Sequence, residues 1–411
     1  MTTFNIGIIG GGIGGLSLAQ NMKKNGIDTN VTVFERDPSP TFRNQGYRVT
    51  IHPSGETHLR ACLPDALYEK FRANSYRWDS FRMMDKYERL LVDPPAEAIL
   101  SRSVDRAMLR SILCSGLDNI QYGKEFLAYH ETENEVEVRF VDGSTERFDL
   151  IIAADGSQSR IRGQKLPEYA ELTDTGYFDI ASKLPWSERT QQLAKELGAT
   201  AHVEVLTHTG EALVIIPQFY DGVDEDPADG YLYWGYIVAC NKFNQMTGGA
   251  REGQALKGIA MKLSESYSPL LREMISSTPA EEMTLLHFLT SVKPNAVPTS
   301  RVVMMGDAIH SMPPMAGMGA NTAIRDANEL ATRFKAVFDG KMGLFEAIED
   351  YHKVMLDYGF AAVDLSNSNL KKAVVGHPIL KRIELFVLRT LHQVAPSVMD
   401  NVIAGNLGKE G

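Results

Sequence analysis

The amino-acid sequence predicts an α/β fold: a discontinuous Rossmann-like dinucleotide-binding domain, a mixed-sheet second domain and C-terminal helices. Three observations predict it. A strand, glycine turn, helix and second strand fill the first forty residues. An apolar strand at 149–154 runs into Asp155-Gly156-Ser157-Gln158-Ser159-Arg160-Ile161-Arg162. A third segment, 306–331, reads GDAIHSMPPMAGMGANTAIRDANELA.

The first element is a βαβ unit. Residues 5–9 are a short β-branched run, the mark of a buried parallel strand. Gly10-Gly11-Gly12-Ile13-Gly14-Gly15 then fits G-x-G-x-x-G, and Leu16, Ala19 and Met22 continue one helix face. Residues 31–34 form the second strand, which Glu35 ends. Gly10 permits the tight turn, Gly12 lets backbone approach a pyrophosphate, and Gly15 lets helix and strand pack closely. The helix start at Ile13 and Gly14 offers free N–H groups and a positive dipole end to phosphates. Glu35, 20 residues past Gly15, is placed to accept from ribose hydroxyls. Arg36 is a further candidate contact. This unit predicts a dinucleotide without separating NAD from FAD.

The 306–331 segment makes that separation. Gly306-Asp307 sits at an expected strand end, and Pro313, Pro314, Gly317 and Gly319 follow. A helical pattern starts at about Ala320. A carboxylate followed by a helix N-terminus suits the ribityl chain and ring of a flavin, so the expected cofactor is FAD.

With GxGxxG, DG and GD motifs in this order, nearly the whole chain resembles the single-component, NAD(P)H-dependent FAD aromatic hydroxylases, the group A flavoprotein monooxygenases of para-hydroxybenzoate hydroxylase fold. Within that family the pattern looks most like the tetracycline-inactivating monooxygenases, through Arg43, Gly46 and His52, Thr175-Gly176-Tyr177-Phe178, and His208-Thr209-Gly210. The glutamine those relatives set against substrate is not evident near Ile180-Ala181-Ser182. The resemblance implies that Gly10, Gly12, Gly15 and Glu35 hold the ADP half of FAD, with Asp155 and Gly156 near the pyrophosphate. It implies that Asp307 binds the ribityl chain and that Gly317, Gly319, Ala320 and Asn321 face the flavin's pyrimidine edge. Arg106, in VDRAML, fits the family's helix-borne arginine near the cofactor, and Arg43 is a second. Arg48, His208, Tyr233 and Phe288 are the candidate substrate residues, and no metal is expected.

The implied activity is insertion of one oxygen atom of O2, through a flavin hydroperoxide, into a phenolic, polyketide-like or other electron-rich small molecule. No second GxGxxG occurs, so NAD(P)H is expected as a transient reductant. Three alternatives stay open at this point: a halogenase, although W-x-W-x-I-P is missing; a reductase of isoprenoid double bonds; and a non-catalytic flavin-binding module. No catalytic base stands out. His52 and His287 are possible helpers, and His310 is expected to support its loop.

The expected domains are 1–165 plus 295–345 for FAD, 166–294 for a substrate sheet, and 346–411 for C-terminal helices. Strand character at 203–205, 212–216 and 231–237, with an acidic loop at 221–230, marks the sheet; helical patterns at 187–199 and 250–277 should cover it. Ile379, Ile383, Phe386, Val387 and Leu391 repeat at helical spacing and predict a helix packed on the body. A membrane-surface helix is the alternative, but the interspersed basic residues, Lys381, Arg382 and Arg389, are few for one.

Composition bounds the rest. The chain has 411 residues and a formal net charge of −10, which argues against nucleic acid or an anionic surface as a general partner. Cys62, Cys114 and Cys240 lie far apart, so a disulfide framework or zinc site is not expected. A strand begins almost at once and no run of about 18 apolar residues occurs. A cytoplasmic monomer or weak dimer without a membrane span is therefore expected.

Overall fold

The structure, a computed structural model, describes residues 4–27, 29–40, 42, 48–78, 80–94, 100–200, 202–218, 230–247, 251–374 and 378–395. Arg43, Gly46 and most of the acidic 221–230 loop lie outside the described residues. Contacts divide the chain into two compact units. Unit 1 comprises Met1–Arg72, Arg106–Thr173 and Leu289–Asn367; unit 2 comprises Ala73–Asp105, Asp174–Phe288 and Ser368–Gly411. The units thus split the C-terminal region between them and assign 73–105 to unit 2 rather than to the cofactor domain.

Unit 1 is built on a five-stranded parallel sheet in the order Val302–Met304, Leu150–Ala153, Phe4–Ile9, Thr29–Glu35, Ile120–Tyr122. Ile6, Ile8, Leu150, Ile151, Ile152, Val302 and Val303 are fully buried. Apolar runs buried on both faces are what parallel strands require, and each such side chain contributes about 1.5–3 kcal/mol. Helices Ile13–Lys24 and Met318–Phe338 pack on each other, with Gly14 at the contact. A Cβ at Gly14 would stand 3.2 Å from Ala323 Cβ and 3.3 Å from Met305 Cε. An antiparallel meander, Phe126–Glu131, Val136–Phe140 and Thr145–Phe148, brings Phe140 and Phe148 onto Phe34 at 4.7 and 5.6 Å between ring centres.

Unit 2 is a seven-stranded mixed sheet in the order Met283–Thr290, Thr173–Pro185, Tyr231–Ala239, Ala212–Gln218, His202–Leu206, Phe81–Asp85, Leu90–Val92. The three strands expected from β-branched and aromatic content are present. The sequence reading missed Phe81–Asp85, which joins in parallel beside His202–Leu206, and the 13-residue strand Thr173–Pro185. Period-two alternation gives the sheet two faces. Phe178, Ile180, Ile215, Trp234 and Tyr236 enter one core with Phe243, Leu256, Leu271 and Met274 of the helices around 240–277. Trp234 donates to Thr278 Oγ1 at 2.8 Å, so its ring is buried without orphaning the indole N–H.

The helix Pro378–Val394 corrects an expectation. It packs on Leu91 and Val92 through Leu385 and Leu388, whereas Ile379, Ile383, Phe386, Val387 and Leu391 are all exposed. The spacing identified the apolar face but not the direction it points.

Inside unit 1, His352 on helix Leu344–Val374 accepts from the Met304 N–H at 3.2 Å and ties that helix to the edge strand. Burial, helped by the charge of Lys165, lowers its pKa to about 3. The folded state therefore binds fewer protons than the unfolded chain below about pH 6.5. This contribution is complete above that pH and is lost as pH falls from about 6.5 toward 3. His352→Gln, which keeps an acceptor, is expected to flatten the acid limb of a stability–pH curve by up to about 1.4 kcal/mol per pH unit. Chemical denaturation across that window measures it.

Candidate cofactor site

The glycine turn meets its backbone demands one residue at a time. Gly10 has φ +117°, and a Cβ there would lie 2.0 Å from the Ala154 carbonyl oxygen. A Cβ on Gly15 would lie 2.2 Å from the Gly10 carbonyl oxygen and 3.0 Å from Ile8 Cγ2. Gly12 is different: a Cβ there meets nothing within 4 Å, and the helix Ile13–Lys24 begins at it with no side-chain cap. The first N–H groups of that helix, from Ile13 and Gly14, thus open onto a space the chain leaves clear.

Glu35 ends its strand beside this turn. Its Oε1 accepts from the Asp37 N–H at 2.9 Å, and Oε2 pairs with Arg110 Nη2 at 3.3 Å. Each oxygen keeps a lone pair for a further donor. Arg110 also donates to the carbonyls of Gly11 (2.9 Å) and Pro40 (2.9 Å). Arg106, the sequence candidate, is the exposed first residue of helix Arg106–Cys114. One turn later, Arg110 is the arginine that touches the glycine turn. The heptapeptide Val104 to Arg110 holds both, and one turn of helix decides which reaches back. Arg36 is exposed.

Asp155 follows the strand Leu150–Ala153. Its Oδ2 accepts from the Arg160 N–H at 3.1 Å. Its Oδ1 is buried without a partner among the described residues, and burial raises its pKa. Gly156 has φ +82° and open space at its Cβ position.

The 306–331 segment folds as a loop between two anchors. Gly306 sits at φ +61°, ψ −149°, a region held essentially by glycine. Its N–H donates to Asp326 Oδ2 at 2.7 Å. Asp326, fully buried, also receives His310 Nε2 at 2.7 Å and the Tyr358 hydroxyl at 2.5 Å. Burial lowers the His310 pKa, but the Asp326 carboxylate outweighs it and leaves it raised. Asp307 is exposed, with its Oδ1 3.8 Å from where a Gly319 Cβ would stand. Pro314 opens a single 3-10 turn and is exposed. Gly317, left-handed at φ +62°, starts helix Met318–Phe338, which also has no side-chain cap. Gly319 and Ala320 lie in its first turn.

Asn321 takes a role the motif did not suggest. Its Oδ1 accepts from the His52 N–H (2.9 Å), and Nδ2 donates to the carbonyls of Thr50 (2.8 Å) and Gly317 (2.7 Å). The side chain braces strand Arg48–Ile51 against the helix start. A Cβ on Gly55 would lie 1.8 Å from Asn321 Oδ1, which explains the glycine there. His52 Nε2 bonds the Ala316 carbonyl at 3.0 Å. Burial, then the charge of Arg48, holds the His52 pKa down, so it donates as a neutral imidazole.

The substrate candidates divide between the units. Arg48, in unit 1, donates to Thr50 Oγ1 at 2.5 Å. His208, Tyr233 and Phe288 belong to unit 2. Phe288 is buried, and His208 is half-buried. The Tyr233 hydroxyl donates to Asp179 Oδ2 at 3.2 Å. Sequence reasoning passed over Asp179. It is buried on the sheet face opposite the helix-covered core, and burial pushes its carboxyl up to about 7. His287 lines a cavity of about 630 Å³ with Phe178, Arg251, Met283 and Leu285. Its Nε2 lies 2.8 Å from Asp174 Oδ1. Donor atoms of Asp174, Cys240 and His287 fall within 4.8 Å of one another, a grouping that residues so distant in the chain did not announce.

The open Gly12 position and the filled Gly15 position separate two kinds of defect. Gly12→Ser, a good helix cap, is expected to leave unfolding of the FAD-free protein within about 0.5 kcal/mol of the parent while weakening FAD binding at least about tenfold. Gly15→Ser forces two backbone segments apart and is expected to cost about 1–3 kcal/mol in the FAD-free protein itself. Denaturant unfolding and flavin titration of both variants check this.

Comparison with known proteins matches these features to a family. The FAD binding domain family profile matches residues 3–228 and 257–366. A protein assigned as an FAD-containing monooxygenase of Photorhabdus luminescens subsp. laumondii is 30% identical, with a TM-score of 0.81 over 91% of this chain and 99% of its own. The dual O-methyltransferase/FAD-dependent monooxygenase elcB of Phaeosphaeria nodorum is 29% identical over 80% of this chain. The chain spans only about 40% of that relative's length. Tetracycline destructase Tet(51) shares the fold, at a TM-score of 0.63 and 17% identity over 95% of this chain and 98% of its own. The chain belongs to the FAD binding domain family.

Proposed function

We propose that the whole protein uses NAD(P)H as a transient reductant and inserts one oxygen atom of O2 into a phenolic, polyketide-like or other electron-rich small molecule. The observation that carries this reading is the cradle in unit 1. Two helices begin there without side-chain caps, one at the open Gly12 position and one at Gly317 beside the exposed Asp307. That donor set fits FAD: amide N–H groups for phosphate, a carboxylate for hydroxyls, and a second helix start for the ring.

When bound, FAD supplies the electron transfer and oxygen activation, and the protein supplies position and electrostatics. Ile13 and Gly14 would present N–H groups and the helix dipole to the pyrophosphate. Glu35, fixed by Arg110, would accept from the ribose, with Arg36 and Arg106 as further contacts; Arg43, outside the described residues, stays a candidate from the sequence alone. The unpartnered Asp155 Oδ1 would take a hydroxyl donor near Gly156. Asp307 would accept from the ribityl chain. Met318, Gly319 and Ala320 would direct N–H groups at negative charge on the ring, the ordinary use of a helix N-terminus. Asn321 and Pro314 would hold that turn in place rather than touch the ring through their side chains. For the substrate, Arg48, His208, Tyr233 and Phe288 remain the proposed contacts.

Hydroxylation of a phenol or enol draws on the substrate's own electrons, and a base assists by accepting its hydroxyl proton. The test is NADPH oxidation by the FAD-loaded protein, with and without phenols, polyketides and tetracyclines, reading product mass. A compound that speeds oxidation and gains one oxygen atom is the expected result. A product gaining halogen or two hydrogens, or flavin that NADPH and NADH never reduce, would contradict it.

A further inference from the structure

The helix Pro378–Val394 presents an apolar face away from the protein it is attached to. Leu385 and Leu388 pack inward on Leu91 and Val92. Lys381 is also buried, donating to the Lys372 carbonyl at 2.6 Å and pairing with Glu384 at 3.1 Å. On the opposite side Leu380, Ile383, Phe386, Val387, Leu391 and Val394 are exposed, Phe386 by 68% and Val394 by 78%. At 100° per residue these six fall within an arc of about 140°. Thr390 is the polar residue inside it, and Arg382 and Arg389 run along one edge. An outward apolar stripe of this kind marks an interaction surface.

Charge selects the occupant. The chain carries −10 overall, yet this corner is basic. Along the edge of the stripe Arg382 is exposed and Arg389 is half-exposed, while the helix's Glu384 is already paired with Lys381. A second copy docking stripe to stripe would set these basic edges against their own equivalents. An anionic lipid surface would meet them with opposite charge and accept the stripe into its acyl boundary. No described helix is long and apolar enough to cross a membrane, so this helix would lie in the surface plane.

We propose that the helix Pro378–Val394 is an interfacial anchor that seats the protein on anionic lipid membranes, with Leu380, Ile383, Phe386, Val387, Leu391 and Val394 inserted and Arg382 and Arg389 against the headgroups. This places the enzyme where apolar, membrane-partitioned compounds are concentrated, but it does not depend on which substrate is oxidised.

The test is co-sedimentation of the full chain with vesicles of phosphatidylcholine alone and of phosphatidylcholine and phosphatidylglycerol in equal parts, at low and high salt. Binding to the anionic vesicles is expected, weaker at high salt. Ile383→Glu with Phe386→Glu should reduce it at least tenfold while FAD content and thermal unfolding stay as in the parent. Arg382→Gln with Arg389→Gln should reduce anionic-vesicle binding while keeping the apolar stripe. Absence of binding at every salt concentration, or binding the I383E/F386E variant retains, would overturn the proposal. So would sedimentation velocity showing a dimer that this variant dissolves, which would assign the stripe to a second copy.

Discussion

The carboxylate of Asp326 holds the cofactor loop in place. It has no exposed surface, and it binds the Gly306 N–H, His310 Nε2 and the Tyr358 hydroxyl together. A buried carboxylate is costly unless donors surround it, and these three come from the start of the loop, its first turn and a later helix. Satisfying Asp326 therefore fixes Gly306 in its glycine-only conformation, which sets where Asp307 stands. The chain from Gly306 to Asp326, 20 residues apart in sequence, is closed on itself by this side chain. Asn321 performs the complementary task five residues earlier, tying the helix start to the Thr50 and His52 backbone.

Both clamps leave the proposed cofactor contacts uncommitted. The side chains of Asp326 and Asn321 are used up inside the protein, and His310 is committed to Asp326 through Nε2. Asp307 and the N–H groups at the start of Met318–Phe338 are not committed to side-chain caps. The N-terminal turn repeats this division. Gly10 and Gly15 are glycines because backbone oxygens occupy the Cβ positions, whereas Gly12 faces open space. The backbone constraint and the open surface thus fall on different residues of one motif.

Much of this was legible in the sequence because it is local. The parallel strands read as apolar runs, and the glycine spacing marked both helix starts. Where the sequence was silent, the deciding contact is distant or directional. Arg106 and Arg110 lie on one helix, and only the fold shows that Arg110 reaches Gly11. Asp326 lay within the recognised motif, but its partner Tyr358 is 32 residues away. Phe81–Asp85 is a short strand whose neighbour, His202–Leu206, comes more than a hundred residues later. The apolar period of Pro378–Val394 was plain, yet periodicity carries no information about which side faces the protein. Asp179 was invisible because a lone acid in a strand declares its burial only once the sheet is formed.

Buried side-chain clamps, Asp326 above all, would shape the proposed FAD cradle without touching the cofactor. The most direct measurement is the FAD dissociation constant of Asp326→Asn beside the parent, with unfolding of the FAD-free forms followed in parallel. The account predicts affinity at least about tenfold weaker in a protein that still folds, because the amide cannot hold His310 and Tyr358 as the carboxylate does. An Asp326→Asn protein that binds FAD as tightly as the parent would contradict it.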